Sequence, residues 1–342
     1  MIDNKDYVLT IDGLQTYFEV DHSVVKAVDD VSLKIERGKT LAIVGESGCG
    51  KTVTAYSILK LIQKPGKIVG GKIVLYPSNE KPINISDLNE RSELIYRVRG
   101  GYISMIFQEP MTALSPVHTI GNQICEAILL HSKTKISAKS AEEISVEMLG
   151  NVGISNPQTR INQYPHEISG GMRQRAVIAM AMITKPELLI ADEPTTALDV
   201  TIQAQILELM KRLQSQYKTS IILITHDFGV VAQTADEVAV MYLGNIIEQG
   251  SVREIMKNPM HPYTIALLNS LPCVGHIGKR LTPVKGSVPN PLERPQGCTF
   301  HPRCEYVEKG LCDIGSVPEL DEIIKGHKVA CRRVKEIRKN GK

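Results

Sequence analysis

The segment from Gly45 to Thr52 constrains this chain more than any other. It reads Gly-Glu-Ser-Gly-Cys-Gly-Lys-Thr and satisfies the pattern G-x-x-x-x-G-K-[ST] of loops that hold phosphate. The apolar run Thr40–Val44 before it predicts a buried strand, and residues 52–61 after it predict a helix. Because a strand, a glycine loop and a helix follow one another, the segment predicts an α/β fold built on a largely parallel sheet.

The residue types of this loop suit a nucleotide phosphate. Glycines let the backbone curl until successive N–H groups point inward, and the helix that follows adds the positive end of its dipole. Lys51 supplies a charge for the β- and γ-phosphate oxygens, and the Thr52 hydroxyl ligates Mg²⁺. The residues expected to contact the nucleotide are Gly45, Ser47, Gly48, Cys49, Gly50, Lys51, Thr52 and Val53.

A second apolar run, Glu187–Asp192, is followed by a further carboxylate about 140 residues after the loop. Asp192, at the carboxyl end of this predicted strand, is expected to hold Mg²⁺ through water. Glu193 is then placed to orient an attacking water and to take its proton. An Asp-Glu pair after a strand is ordinarily a solvated loop start, but its position downstream of a phosphate loop favours the catalytic interpretation.

The octet Ile168–Arg175 predicts the start of a helix that carries two glycines in its first turn. Each glycine costs about 1 kcal/mol of helix stability relative to alanine, so the position requires bare backbone. A γ-phosphate that faces Ser169, Gly170 and Gly171 would be that requirement, whereas a serine-capped helix start is the ordinary alternative. The octet resembles the L-S-G-G-Q signature of ATP-binding cassette (ABC) ATPases, with isoleucine in place of leucine and Met172 in place of glutamine.

The resemblance to ABC ATPases extends over about 300 residues and implies roles for residues that carry little signal alone. Gln108 resembles the glutamine that touches Mg²⁺ or the attacking water, and His226 resembles the switch histidine that grips the γ-phosphate. Asp199 resembles the aspartate that contacts the partner subunit. Tyr17 resembles the aromatic residue that stacks on adenine, although a core tyrosine is the alternative. The resemblance thus implies that Glu193, His226 and Gln108 are the catalytic residues.

The same resemblance implies a fold and a boundary. It implies a P-loop NTPase cassette with a RecA-like mixed-sheet core, a β subdomain and an inserted helical subdomain. We expect this ABC nucleotide-binding domain over residues 1–258, with the helical insertion at about 109–168. Further predicted elements are the strands Lys72–Tyr76, Tyr102–Gln108 and Ser220–Thr225, the helices Ile120–His131, Ser140–Val152 and Val200–Tyr217, and a hairpin of Glu237–Tyr242 with Ile246–Gln249 that turns at Gly244-Asn245.

The composition of the chain changes near residue 259. Prolines become frequent, helical and strand periodicity is lost, and four of the seven cysteines fall in the last 45 residues. The runs His261–Leu268 and Gly297–Cys304 resemble the extension of dipeptide and oligopeptide importer ATPases. We therefore expect residues 259–342 to form a small C-terminal extension and the cargo to be a peptide, with nickel importers of the same architecture as the alternative.

Four cysteines of this extension follow the spacing C-x5-C-x7-C-x18-C. Zinc sites favour cysteine pairs with two intervening residues, so the spacing is not a common zinc pattern. Four cysteines in a proline-rich segment with little hydrophobic core of its own indicate that a cross-link through their thiols stabilises the segment. A structural [4Fe–4S] cluster is the expected occupant, Zn²⁺ is the alternative, and a metal-free segment is the third possibility. The four expected ligands are Cys298, Cys304, Cys312 and Cys331, whereas Cys49, Cys125 and Cys273 are scattered.

Charge and hydropathy limit the partners. Forty basic and 37 acidic residues give a net charge of +3, which demands no nucleic acid and no anionic membrane. No apolar run approaches the roughly 18–20 residues of a membrane helix, and residues 1–6 carry acids where a signal peptide carries bases. We therefore expect a cytosolic chain.

The resemblance adds partners to this expectation. It implies attachment at the cytoplasmic face of the membrane, a second and distinct ABC ATPase as a heterodimer partner, two integral-membrane permease subunits and an extracytoplasmic peptide-binding protein. Nucleic acid is not expected to bind. A soluble ABC-class ATPase that acts on nucleic acid is the alternative from a different functional class, and a helical insertion of only about 60 residues disfavours it.

Overall fold

The computed structural model describes residues 6–20, 23–109, 113–132, 135–196, 198–271 and 283–340. Cys273, one of the scattered cysteines, lies outside these described residues. The strands are, in chain order, β1 (Tyr7–Val20), β2 (Ser23–Glu36), β3 (Thr40–Val44), β4 (Gly66–Leu75), β5 (Ile83–Asn84), β6 (Ile103–Ile106), β7 (Leu188–Asp192), β8 (Ser220–Thr225), β9 (Glu237–Tyr242), β10 (Asn245–Ser251), β11 (Asp321–Ile324) and β12 (His327–Val329).

The helices of the described residues lie between and after these strands, with several in succession between β6 and β7. None of them combines the length and the apolar character needed to cross a membrane. They are Lys51–Ile58, Glu93–Val98, Ile120–His131, Ala138–Asn151, Pro157–Arg160, Gly170–Met182, Val200–Tyr217, Phe228–Thr234, Val252–Lys257, Pro262–Asn269 and Val334–Asn340.

The chain divides into two compact units that are each assembled from separate stretches of sequence. The first unit contains the described residues of Met1–Thr10, Lys34–Thr40 and Val74–Ile224. The second unit contains the described residues of Ile11–Leu33, Leu41–Ile73 and Thr225–Lys342.

The first unit contains the parallel strands β6, β7 and β8 in that order. Both β7 and β8 are buried along their whole length and are mostly aliphatic, as expected of strands covered on both faces. The registers pair Ile106 with Ala191 and Asp192 with Ile224. The carboxyl ends of the three strands therefore meet at one edge, which is where open α/β sheets bind their ligands.

The first unit also contains the helices expected of the insertion. Ile120–His131 has the predicted bounds, and no strand occurs between β6 and β7 among the residues described there. The next helix begins at Ala138 and not at Ser140, because the Ser137 side chain accepts the Ser140 N–H and caps an earlier first turn.

The second unit holds the strand order β3-β9-β10-β12-β11. β3 runs parallel to β9, and β9 and β10 form the expected antiparallel hairpin. The predicted turn was wrong by one residue, since Tyr242 pairs with Asn245 and the turn is Leu243-Gly244, both with positive φ. The side-chain amide nitrogen of Asn245, the first residue of β10, donates to the Asp29 carbonyl.

Two features of the fold were not predicted. No strand before Thr40 was named from the sequence, yet β1 and β2 span most of residues 7–36, with Gly13 and Asp30 in left-handed conformations. The extension is also more regular than expected, because Pro262 starts a helix that the His261 side chain caps through the Tyr263 N–H. The structural bounds of the two predicted domains, 1–258 and 259–342, stay a prediction.

Candidate nucleotide site

The phosphate loop of the second unit joins β3 to the helix Lys51–Ile58 in the predicted order, although this helix ends three residues before the end of the predicted range 52–61. Two of its glycines are required by close backbone neighbours. A Cβ at Gly45 would lie 2.3 Å from the Met241 carbonyl oxygen, and one at Gly50 would lie 2.1 Å from that of Ala27. Gly50 also has φ +106°, a conformation that other residues rarely adopt. These glycines are therefore needed for the packing of the loop as well as for its approach to a ligand.

The helix that follows the loop begins without a competing side chain. Gly50 is its N-cap and provides no side-chain hydrogen bond, and its first turn contains no acidic residue. No side chain of the cap therefore competes for the first N–H groups of the helix. These donors and the positive end of the helix dipole can both act on an anion. Thr52, the expected Mg²⁺ ligand, lies in this first turn, and its role in binding the ion stays a prediction.

Lys51 is almost fully buried, with 6% of its surface exposed. Its ammonium donates to the carbonyl oxygens of Gly45, at 2.8 Å, and Glu46, at 3.0 Å. These carbonyls are at the start of the loop, so the ammonium bridges the loop and could exchange them for phosphate oxygens. Cys49 is buried beside it, and burial raises the pKa of the thiol despite the nearby Lys51 charge. Cys49 is therefore a small, neutral side chain in the loop.

Tyr17 and His226, the two residues assigned to adenine and γ-phosphate, also lie in the second unit. The Tyr17 hydroxyl donates to Asp29 Oδ1 at 2.5 Å, and the Lys26 ammonium lies 5.3 Å from the ring centroid. Burial, followed by the Asp29 hydrogen bond, raises the Tyr17 pKa, so the hydroxyl stays a donor. The His226 side chain is exposed after β8. Adenine stacking and γ-phosphate contact remain predictions for these residues.

The turn that presents His226 is held by its neighbours. The Asp227 N–H donates to the Thr225 hydroxyl at 3.1 Å. The Asp227 carboxylate in turn accepts from the N–H groups of Gly229, at 2.7 Å, and Val230, at 3.3 Å, and so caps the helix Phe228–Thr234. The imidazole therefore projects from a backbone that is fixed on its C-terminal side.

In the first unit, Gln108 and Glu193 lie in contact although 85 residues separate them. Gln108 Nε2 donates to Glu193 Oε2 at 3.2 Å, and the Thr196 hydroxyl donates to the same oxygen at 3.0 Å. Glu193 has a left-handed φ of 46°, and its N–H donates to the Ile224 carbonyl at 2.9 Å. The carboxylate is therefore oriented by two side chains and a constrained backbone, directly after Asp192.

Thr196 was missed by the sequence analysis, although it follows Glu193 by only three residues. Gln174 was missed too. It is buried on the helix Gly170–Met182, and its amide donates to the Pro194 carbonyl at 2.6 Å. The helix Gly170–Met182, which we call the signature helix, thus contacts the loop that follows Glu193. Only the short spacing Glu193-x-x-Thr196 could have indicated the first of these contacts.

Ser169 caps the signature helix, with its hydroxyl 3.4 Å from the Met172 nitrogen. A Cβ at Gly170 would meet nothing within 4 Å, and one at Gly171 would lie 3.3 Å from Ile202 Cγ2. Packing within this chain therefore does not require glycine at position 170, which leaves an external ligand as a reason for it.

Asp199, the residue expected to contact the partner subunit, caps a helix of this chain. Its Oδ1 accepts the Ile202 N–H at 3.0 Å and caps the helix Val200–Tyr217. Asp192 lies at the end of β7 with 1% of its surface exposed. The Asp199 contact with a partner and the Mg²⁺ role of Asp192 stay predictions.

The four cysteines of the extension line one cavity in the second unit: Cys298, Cys304, Cys312 and Cys331. Burial raises the pKa of three of these thiols, to about 11 for Cys304 and about 12 for Cys331. Among the described residues, no three His, Cys, Asp or Glu side chains are arranged to hold a single metal ion. The sequence therefore predicted which cysteines converge, whereas their occupant stays a prediction.

The chain was compared with known proteins. Residues 28–196 match the ABC transporter family, and residues 247–312 match the C-terminal region of oligopeptide/dipeptide transporters. The dipeptide transport ATP-binding protein DppD of Bacillus subtilis is 50% identical over 298 residues, which cover 87% of this chain and 86% of the relative. The oligopeptide transport ATP-binding protein AppD of the same organism is 49% identical over 299 residues, or 87% and 88% of the two chains.

Solved structures give the same fold. The structure of cbiO1 from Clostridium perfringens, part of the ABC transporter complex cbiONQ, has a TM-score of 0.61 at 26% identity. The match covers 74% of this chain and 92% of that one. The predicted ABC cassette fold is thereby confirmed, and with it an ATPase of this class. The chain belongs to the ABC transporter family, among the ATP-binding subunits that carry the oligopeptide/dipeptide transporter C-terminal region.

Proposed function

We propose that this chain is the ATP-hydrolysing subunit of an importer of dipeptides or oligopeptides. The observation that carries the proposal is the combination of an ABC cassette with the oligopeptide/dipeptide transporter C-terminal region over residues 247–312. The relatives DppD and AppD are named for dipeptide and oligopeptide transport, which favours a peptide over nickel or nucleic acid. The subunit works at the cytoplasmic face of the membrane, with two permeases, a second ATPase and a peptide-binding protein as partners.

The phosphate loop binds the nucleotide in this proposal. Its N–H groups and the first turn of the helix Lys51–Ile58 surround the β-phosphate. Lys51 exchanges the carbonyls of Gly45 and Glu46 for β- and γ-phosphate oxygens. The oxygen donors of Thr52, Asp192 and Gln108 are of the type that Mg²⁺ prefers, and the ion, when bound, neutralises charge on the phosphates.

Glu193 is the general base of the proposed reaction. The attacking water gives its proton to the Glu193 carboxylate as its oxygen approaches the γ-phosphorus and the bond to ADP breaks. Gln108 and Thr196 hold Oε2 of that carboxylate at 3.2 and 3.0 Å, which restricts its rotation. His226 donates to the γ-phosphate. Ser169, Gly170, Gly171 and Asp199 face the nucleotide bound by the second ATPase, so ATP binding closes the dimer and hydrolysis reopens it.

The cargo can be tested in an assembled transporter. The chain is purified with its permeases and second ATPase, reconstituted into vesicles, and assayed for ATP hydrolysis with its binding protein. Loading the binding protein with dipeptides or oligopeptides is expected to stimulate hydrolysis and to move labelled peptide. Stimulation by Ni²⁺ but not by peptides, or by nucleic acid in the absence of permeases, would contradict the proposal.

We further propose that the C-terminal extension, residues 259–342, holds a structural [4Fe–4S] cluster through Cys298, Cys304, Cys312 and Cys331. A zinc ion binds thiolates at about 2.3 Å, which requires sulfur atoms about 3.8 Å apart. A cluster binds each thiolate to a different iron, so its four ligands need not surround one ion as closely as zinc ligands do. The cavity that the four thiols line has a volume of about 20 Å³.

A buried nitrogen in the same cavity also suits an anionic sulfur group. His261 lines the cavity with 1% of its surface exposed, and its Nδ1 accepts the Tyr263 N–H at 3.1 Å. Burial lowers the His261 pKa to about 4, so the ring is neutral and carries its hydrogen on Nε2. This N–H has no hydrogen-bond partner among the described residues, and a thiolate or sulfide would provide one.

Iron and acid-labile sulfide are measured on the full chain after anaerobic purification. The proposal expects four irons and four sulfides per chain and an absorbance band at about 400 nm. Cys304→Ser and Cys331→Ser should each lower the iron content, whereas Cys125→Ser, a change outside the cavity, should leave it unchanged. Stoichiometric zinc without iron, or no metal at all, would contradict the cluster without affecting the proposed ATPase function.

A further inference from the structure

We propose that Arg303 of the C-terminal extension is a positioning residue for the phosphate loop, and that it acts through Glu46. The extension would thereby set the affinity of the loop for nucleotide phosphates. Glu46 is the first variable residue of the loop, directly after Gly45. Both residues belong to the second unit, although 257 positions separate them in the sequence.

The contact between the two side chains is bidentate. Arg303 Nη1 donates to Glu46 Oε2 at 2.7 Å, and Arg303 Nη2 donates to Glu46 Oε1 at 3.1 Å. Two parallel charged hydrogen bonds define the orientation of the carboxylate as well as its position. Lysine could supply the charge but not the planar pair of donors.

Arg303 is itself held in one place. Its side chain is 4% exposed. Its remaining donors go to the carbonyls of Lys285, at 2.9 Å, and Gly286, at 3.2 Å, and to the Tyr242 hydroxyl, at 3.4 Å. The rings of Tyr242 and Phe300 lie 5.8 and 5.9 Å from the guanidinium carbon. Because the guanidinium is packed and fully hydrogen-bonded, it acts as a rigid support for the loop and not as a mobile surface charge.

The main chain of Glu46 is also anchored to the extension. Its N–H donates to the Tyr263 hydroxyl at 2.9 Å. Burial raises the Tyr263 pKa, and the hydroxyl stays neutral. Glu46 is therefore held at its carboxylate by Arg303 and at its nitrogen by Tyr263, two residues that the extension supplies.

These anchors do not depend on Lys51. The Lys51 ammonium contacts the Gly45 and Glu46 carbonyls, and it must leave them to reach a phosphate. Arg303 and Tyr263 bind other atoms of Glu46, so they can hold the start of the loop while Lys51 changes partners. A loop held in its binding geometry loses less conformational entropy when a phosphate enters. We therefore expect the pair to act on nucleotide affinity rather than on the rate of the bound complex.

The test uses the full chain and the variants Arg303→Met, Arg303→Lys and Glu46→Gln. Binding of ATP and of ADP is measured by calorimetry, and kcat and KM for ATP are measured in the assembled transporter. Arg303→Met should weaken both nucleotides roughly 10- to 100-fold, and Glu46→Gln roughly 3- to 10-fold. Arg303→Lys should fall between the parent and Arg303→Met. For all three variants, kcat at saturating ATP should stay within about threefold of the parent.

The matched control is Arg37→Met in the first unit. Arg37 pairs with Glu187 at 2.9 Å and is partly buried, but it has no part in the phosphate loop. The Arg37→Met variant should have a lower melting temperature than the parent and the same nucleotide affinity. If Arg303→Met does not fold, Arg303→Lys and Glu46→Gln decide the question. Nucleotide affinities within twofold of the parent in the folded variants, an equal loss in Arg37→Met, or a fall in kcat with unchanged KM would overturn the proposal.

Discussion

Replacement of Glu193 by glutamine tests the assignment of the general base most directly. Glutamine has the same length and shape as glutamate and keeps an oxygen that can accept the hydrogen bonds of Gln108, at 3.2 Å, and Thr196, at 3.0 Å. It lacks the basicity needed to take a proton from water. The variant should therefore keep the local structure and lose the chemical step.

The expected magnitude follows from the loss of a positioned base. General-base catalysis contributes roughly 10²- to 10⁴-fold, so kcat should fall by that factor, which corresponds to about 3–5 kcal/mol of transition-state stabilisation. Affinity for ATP should stay within about threefold of the parent, because the phosphate loop is unchanged. Thr196→Val, which removes one donor to the carboxylate but keeps the base, should lower kcat only about 3- to 10-fold.

Single-turnover hydrolysis by the assembled transporter measures the chemical step without product release. The partner ATPase should carry its own inactivating substitution, so that the signal comes from the site that contains Glu193. A glutamine variant that hydrolyses ATP at the parental rate would remove Glu193 from the role of base. A drop in Thr196→Val as large as that in Glu193→Gln would instead show that the hydrogen-bonded geometry, and not the proton transfer, is limiting.

Three further predictions concern packing and protonation. Gly50→Ala should abolish ATP binding and lower the melting temperature, because φ is +106° and a Cβ would lie 2.1 Å from the Ala27 oxygen; tight ATP binding by this variant would contradict the steric argument. Phe300→Ala should destabilise the second unit by about 3–5 kcal/mol in denaturant titrations, since it removes a ring 5.3 Å from those of Tyr242 and Tyr263; a change below about 1 kcal/mol would mean that the neighbours refill the space. Burial lowers the His131 pKa below its unfolded value of about 6.5. The unfolded chain therefore binds more protons than the folded chain in this pH range. As the pH falls through about 6.5, this difference should lower the melting temperature. His131→Gln should flatten this part of the pH profile, and an unchanged profile would refute the assignment.

Several local elements were predictable because short-range requirements specify them. The strand–loop–helix unit at Thr40–Ile58 depends on a buried run, on glycines and on a lysine that all lie within 20 residues. The helices Ile120–His131 and Val200–Tyr217 and the strand β8 have the predicted bounds, since each has an unbroken apolar pattern. The spacing of glycines and lysine in the strand–loop–helix unit carries most of the information about the nucleotide.

Other features depend on contacts between distant residues. The turn of the β9–β10 hairpin lies one residue before its predicted place, and Asn245 after it donates to the backbone carbonyl of Asp29, 216 positions away. Gln174 contacts the loop after Glu193 through one hydrogen bond to the Pro194 carbonyl, 20 positions away, which no repeating sequence pattern predicts.

The sequence by itself determined the family and the phosphate loop and indicated the carboxylate proposed as the general base, because these depend on residue types at short and specific spacings. Only the tertiary structure decided which side chains support them. Arg303 stands in a proline-rich segment where an arginine would ordinarily be solvated, yet it is buried against Glu46 of the phosphate loop. A buried charge requires a partner with matched geometry, and chain folding rather than local sequence brings that partner within hydrogen-bonding distance.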